Sequence, residues 1–151
     1  MKTSALLLAA IVDATPLATA RAQDKPTSEM VHKIAIQVSE NDPAMMTLAL
    51  NNAQNILNHY KKLKRKVDIQ VVAFGPGLHL FRDDTSPVKA RLSTMALEHP
   101  NLTLSACGNT HANHMKAEKK EIKLVSEAKV VSSGVVELAE LQERGYSYIR
   151  P

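Results

Sequence analysis

The chain has 151 residues, with 19 Lys and Arg against 15 Asp and Glu, 44% hydrophobic residues and a single cysteine. That length fits one domain, and the Val, Ile and Leu content supports a real core and excludes a disordered chain. One cysteine excludes a disulfide scaffold, a zinc ribbon and an iron–sulfur protein, and five aromatic residues leave little for stacking on nucleic-acid bases.

Residues 1–22 read as a secretory signal. Lys2 gives a positive start, residues 5–12 are apolar, and Ala18-Thr19-Ala20 and Ala20-Arg21-Ala22 both fit a small-residue cleavage pattern. Cleavage is expected after Ala22, which places the mature protein in the periplasm or outside the cell. Residues 23–30 are polar, contain Pro26 and read as a flexible lead-in. A single domain over residues 31–151 follows. No apolar run is long enough to span a bilayer.

Residues 32–39 are β-rich and form a first strand. Asp42-Pro43 starts a helix, pairing a capping carboxylate with a proline at the first helical position. Met46, Ala49, Leu50, Ala53, Ile56, Leu57 and Tyr60 then recur at three- and four-residue spacing along one apolar face. The basic run from Lys61 to Lys66 reads as a solvated helix end, since no second basic cluster extends it into a nucleic-acid stripe. Residues 67–74 are a second strand, stopped by the turn Gly75-Pro76-Gly77. A loop with His79 and Arg82 follows, and Ser86-Pro87 opens a second helix with Val88, Leu92, Met95 and Ala96 on one side.

Residues 102–106 are a third strand. Cys107-Gly108-Asn109-Thr110 turns it into a helix that runs to about Lys119, and Glu118 to Glu121 read as its solvated end. Residues 129–131 are a fourth strand, Ser132-Ser133-Gly134 turns into a last helix, Gly145 ends that helix, and residues 146–149 form a fifth strand. Strand–helix–strand repetition predicts an α/β fold: a three-layer α/β/α domain with a mostly parallel sheet of about five strands, flavodoxin-like in outline.

In such sheets ligands bind beyond the carboxyl ends of the strands. The polar turns at residues 39–42, 75–79, 107–110 and 132–134 all fall there. Cys107 is the sharpest candidate, because a helix N-terminus lowers a thiol's pKa and Gly108 leaves the sulfur uncrowded. Asn109 and Thr110 are placed to hydrogen-bond sulfur or an anion, with Gly75, Gly77, His79 and Ser133 around the same rim. The plain alternative is a small buried hydrophobe. Cys107, His111 and His114 also share one helix face at i, i+4, i+7, a metal-ligand pattern that equally describes an ordinary His-bearing helix; no carboxylate completes it, and no metal is assigned. No cofactor is expected either: Gly75-Pro76-Gly77 lacks the Lys-Ser/Thr of a phosphate loop and the third glycine of a dinucleotide fingerprint.

Four stretches taken together carry a resemblance: the first strand leading into Asn41-Asp42-Pro43, Val71-Val72-Ala73-Phe74-Gly75-Pro76-Gly77, Leu104-Ser105-Ala106-Cys107-Gly108-Asn109-Thr110, and Ser133-Gly134-Val135-Val136-Glu137-Leu138. As an ordered set over residues 31–151 they resemble the DsrE/DsrF-like proteins. The resemblance implies a small α/β protein that assembles as a homo-trimer or hexamer. It also implies a sulfur-relay role, with Cys107 carrying sulfane sulfur as a persulfide between a small sulfur compound and an acceptor protein thiol. The export signal sets this chain beside exported family members. The competing reading is an oligomeric binding module in which Cys107 only packs. Neither reading involves nucleic acid.

Overall fold

A computed structural model describes residues 30–151; the signal segment and all of the lead-in but Met30 lie outside them. Five strands and four α-helices alternate: β1 (His32–Val38), α1 (Pro43–Lys62), β2 (Val67–Ala73), α2 (Lys89–Glu98), β3 (Leu102–Cys107), α3 (Gly108–Glu118), β4 (Ala128–Val131), α4 (Gly134–Glu143) and β5 (Ser147–Ile149). A 3-10 helix over Gly75–Phe81 follows β2. All strand pairs are parallel, in the order β4-β3-β2-β1-β5. No described helix is long and apolar enough to cross a membrane.

The helix start at Asp42 works as its sequence demands. Its Oδ1 accepts from the Ala44 backbone N–H at 2.8 Å, with Pro43 next in the chain. Asp42→Ala should cost about 1 kcal/mol in urea unfolding, the usual loss of such a cap; an unchanged midpoint would mean that packing alone fixes the helix start. Met46, Ala49, Leu50, Ala53 and Leu57 from the apolar face are all buried. The basic run is exposed from Lys61 to Lys66, as a helix end in water should be.

Strand order decides where the helices lie. The chain moves one way across the sheet from β1 to β4, then returns to place β5 beyond β1. With right-handed crossovers, the first three connections belong on one face and α4 on the other. The two cores agree. A large cluster takes Ile34, Ile36, Val38, Ile69, Val71, Leu104 and Ala106 together with α1 and α2 residues. A small one holds Ala35 and Val72 against Leu138 and Leu141 of α4.

The face under α4 is half polar. Gln70 Nε2 donates to Ser105 Oγ and Glu137 Oε1, both at 2.7 Å, and Tyr146 OH donates to Asp68. Asp68 and Gln70 alternate with Val67, Ile69 and Val71, the period-2 mark of a strand whose two faces differ.

Two segments depart from expectation. In the stretch read as a loop after Gly77, residues 78–81 belong to the 3-10 helix, which buries Leu78, Leu80 and Phe81. The second α-helix begins at Lys89, not at Ser86-Pro87, because the Ser86 hydroxyl is committed to the Leu80 carbonyl at 2.6 Å and holds a turn instead.

Candidate functional site

The connections that follow β3 and β4 diverge. α3 leaves β3 toward one face and α4 leaves β4 toward the other, which is the switch point at which open α/β sheets place ligands. Cys107 is the last residue of β3, paired with Val131 at the end of β4. Leu104 and Ala106 point into the large core, so alternation turns Cys107 to the α4 face.

Cys107 is also the N-cap of α3, and its Sγ accepts from the Thr110 backbone N–H at 3.4 Å. The surroundings of the sulfur pull its pKa in opposite directions. Burial is the largest single effect and raises it; the Thr110 hydroxyl and the backbone N–H groups of Gly134, Thr110 and Asn109 together outweigh burial and hold the thiol below its ordinary value. Gly134 opens α4, so the sulfur lies between the N-termini of two helices, each with unpaired donors and a positive dipole end. The residue itself is 4% exposed. Asn109 and Ser132, in the turns that end β3 and β4, are exposed and joined by the Asn109 N–H to the Ser132 carbonyl at 3.2 Å.

Thr110 ties a third loop to this point. Its Oγ1 accepts the Gly75 N–H at 3.0 Å. With that oxygen occupied as an acceptor, the hydroxyl proton is free to point at sulfur. Gly75 reaches this geometry with φ of +53°, which favours glycine.

The expected rim residues therefore separate. Cys107, Asn109, Thr110 and Gly75 converge. Gly108 makes room: an added Cβ would stand 3.0 Å from the Val131 carbonyl oxygen. Ser133 sits at the α4 N-cap without a side-chain capping bond, and its neighbour Gly134 contributes the donor instead. Gly77 faces the end of β1, where its role is packing. His79 lies against His114, with ring centroids 5.5 Å apart, and pairs with Thr85 at 2.7 Å. The turn at residues 39–42 goes with β5 instead, Glu40 pairing with Arg150 at 2.9 Å.

The i, i+4, i+7 set does not converge on one point. His111 Nε2 meets the Ile122 carbonyl at 2.7 Å, while His114 turns to His79. Among the described residues no group of three or more His, Cys, Asp or Glu is placed to hold a metal ion.

The charged cluster beside α3 escaped the sequence reading. Arg82 is buried, 1% exposed, and its guanidinium pairs with Asp84 at 2.8 Å and with Glu118. Lys120 joins both carboxylates, at 3.0 and 3.1 Å. Hydrogen bonds from Arg82 come first among the causes that hold Glu118 down at about 2 and Asp84 lower still. Residues 118–121 are exposed, as a solvated helix end should be, and Glu118 and Lys120 also anchor that end through their ion pairs.

A family model described as the DsrE/DsrF-like family matches residues 32–151. The chain belongs to the DsrE/DsrF-like family. Among solved structures, this DsrE/DsrF-like chain is similar to MTH1491, a protein of unknown function from Methanobacterium thermoautotrophicum. The two are 28% identical with a TM-score of 0.66, and the likeness covers 80% of this chain and 99% of that one. No curated protein matches. The family and the neighbour agree with the parallel α/β architecture, and Cys107 is the one thiol a DsrE/DsrF-like chain of this sequence offers.

Proposed function

We propose that this protein is a sulfane-sulfur carrier that uses Cys107, working in the periplasm or outside the cell after removal of residues 1–22. The observation that carries this is the placing of one sulfur between two helix N-termini and the Thr110 hydroxyl, an arrangement that favours thiolate over thiol. The thiolate attacks the outer sulfur of a donor R–S–SH. The donor S–S bond breaks, a new S–S bond forms between Cys107 and the transferred SH, and the donor leaves as the thiolate R–S⁻. An acceptor thiolate then attacks the outer sulfur of Cys107–S–SH, takes the SH and releases Cys107 as thiolate. No net oxidation occurs in either step. The same N–H groups that stabilise the thiolate serve the persulfide anion. Assembly as a homo-oligomer belongs to this reading.

Incubating the protein with a low-molecular-weight persulfide should add one sulfur atom, about 32 Da, at Cys107 in intact and peptide mass spectra, and excess thiol should remove it. No adduct at any pH between 6 and 9 would end the proposal. The 4% exposure of Cys107 favours a second reading, a binding module in which the cysteine packs. That reading requires Cys107 to resist labelling in the folded protein at all times, so one labelling series separates the two.

A further inference from the structure

The first turn of α3 flanks Cys107, its Thr110 N–H lying 3.4 Å from Sγ, and α3 is lightly held. No residue of this helix is buried. Its attachments include the Asn109 N–H to the Ser132 carbonyl, Thr110 to Gly75, His111 to the Ile122 carbonyl, the His114 ring to His79, and Glu118 to Arg82. The His114 attachment differs from the others, because its Nδ1 is buried without a hydrogen-bond partner. A neutral imidazole tolerates that as a bare lone pair. A proton added there would become a buried N–H with no acceptor.

We propose that the His79–His114 contact is an acid-released latch that holds α3 docked beside Cys107. This rests on the sulfur-carrier reading for its purpose and gives that site a regulation.

The groups facing the pair set the sign. His79, on the 3-10 helix, faces Arg82 and His114 as repelling cations or potential cations, with Glu118 and Asp84 opposing them and Thr85 on its Nδ1. His114, on α3, faces Arg82 and His111, with Glu118 opposing. Both carboxylates are already committed to Arg82 and Lys120. Burial first, then Arg82, holds both imidazoles below their ordinary value. A folded value below the free one means that docking of α3 is fully stable above about pH 6.5 and weakens as pH falls below it, since the released helix binds the extra proton. The Arg82–Glu118 tie does not titrate in that window, because Glu118 stays ionised down to about 2. Acid therefore frees the middle of α3 while its end stays tethered.

Hydrogen exchange of the full folded chain reads this directly. Protection factors of α3 amides, corrected for intrinsic rates, should fall about tenfold per pH unit for each imidazole released, between pH 6.5 and 5, while those of α1 stay level. Labelling of Cys107 by a pyridyl disulfide, which reacts in acid, should speed up in parallel. His114→Gln should remove part of the slope and His79→Gln/His114→Gln all of it. A flat profile in the wild-type chain overturns the latch, and so does an unchanged slope in His114→Gln, which is informative even if the double variant does not fold. The two proposals fail separately: a persulfide adduct at pH 7 with no acid opening sinks only the latch, and acid opening with no adduct at any pH sinks only the carrier.

Discussion

Gly77→Ala should destabilise the protein by about 3–5 kcal/mol, or prevent folding at 37 °C, although it adds one methyl group. The new Cβ would stand 2.3 Å from the Val38 carbonyl oxygen, 2.5 Å from its carbon and 2.7 Å from the Ser39 nitrogen. These are backbone atoms at the end of a central strand, so no side chain can swing away. The same Val38 carbonyl accepts the Phe74 N–H at 3.2 Å, and pushing it aside breaks that bond as well. The 3-10 helix would have to lift, and Leu78, Leu80 and Phe81, all fully buried, would lift with it. Gly75→Ala is the control. Its φ of +53° costs a side chain about 1 kcal/mol, but its nearest neighbour lies 4.0 Å from the added carbon. Urea unfolding of the two variants should therefore give Gly77→Ala much the larger loss. Similar small losses in both would mean that β1 and the 3-10 helix can separate freely, against the packing described above.

This pair of glycines shows how far the sequence reaches. Gly75-Pro76-Gly77 announces a turn, and a turn is there. The sequence does not say that one glycine is needed for its φ and the other for its missing side chain, because the second requirement comes from β1, a strand with no mark in the turn itself. The order of strands and helices is legible since each carries its own local signal: Asp42-Pro43 at a helix start, and Gly145 at a helix end with φ of +85°. Cys107 is legible as a strand-to-helix residue for the same reason. The 3-10 helix is not, because a seven-residue element with a three-residue repeat is too short to show periodicity; the only signal was Leu78, Leu80 and Phe81, a dense apolar group for a loop. Arg82 reads as a loop residue without a partner role because Glu118 lies 36 residues away. Gly134 was likewise invisible as a donor to Cys107, although the neighbouring Ser133 marked the right turn. Contacts made across the sheet by backbone N–H groups leave no trace in residue type.

Cys107→Ser should abolish the persulfide adduct completely, and Thr110→Val should keep the adduct but move its pH dependence upward. The first loss is absolute, since a hydroxyl at this position has no accessible anion and takes up no sulfane sulfur. The second follows from the two bonds of Thr110. Valine has nearly the same shape but cannot accept the Gly75 N–H or donate to Sγ. Losing a hydrogen bond to an ionised group is worth about 1.5–3 kcal/mol, or one to two pKa units. The Cys107 value, held below that of a free thiol in the native protein, therefore rises. Alkylation at pH 7 should slow about tenfold, and the gap between the two proteins should narrow as pH rises and both thiols ionise. Thr110→Ser keeps both bonds and should restore the native profile. The stranded Gly75 N–H adds a separate cost in stability, about 1–2 kcal/mol, which Thr110→Ser should not show. Linkage supplies an independent check. A folded thiol with a lowered value binds its proton less tightly than the unfolded chain does, so wild-type stability should climb with pH through the folded value and level off above about 8.5. That climb should shrink in Thr110→Val and vanish in Cys107→Ser. If Thr110→Val leaves the alkylation profile unmoved, the hydroxyl does not reach the sulfur, and the anion at Cys107 is held by the two helix N-termini alone.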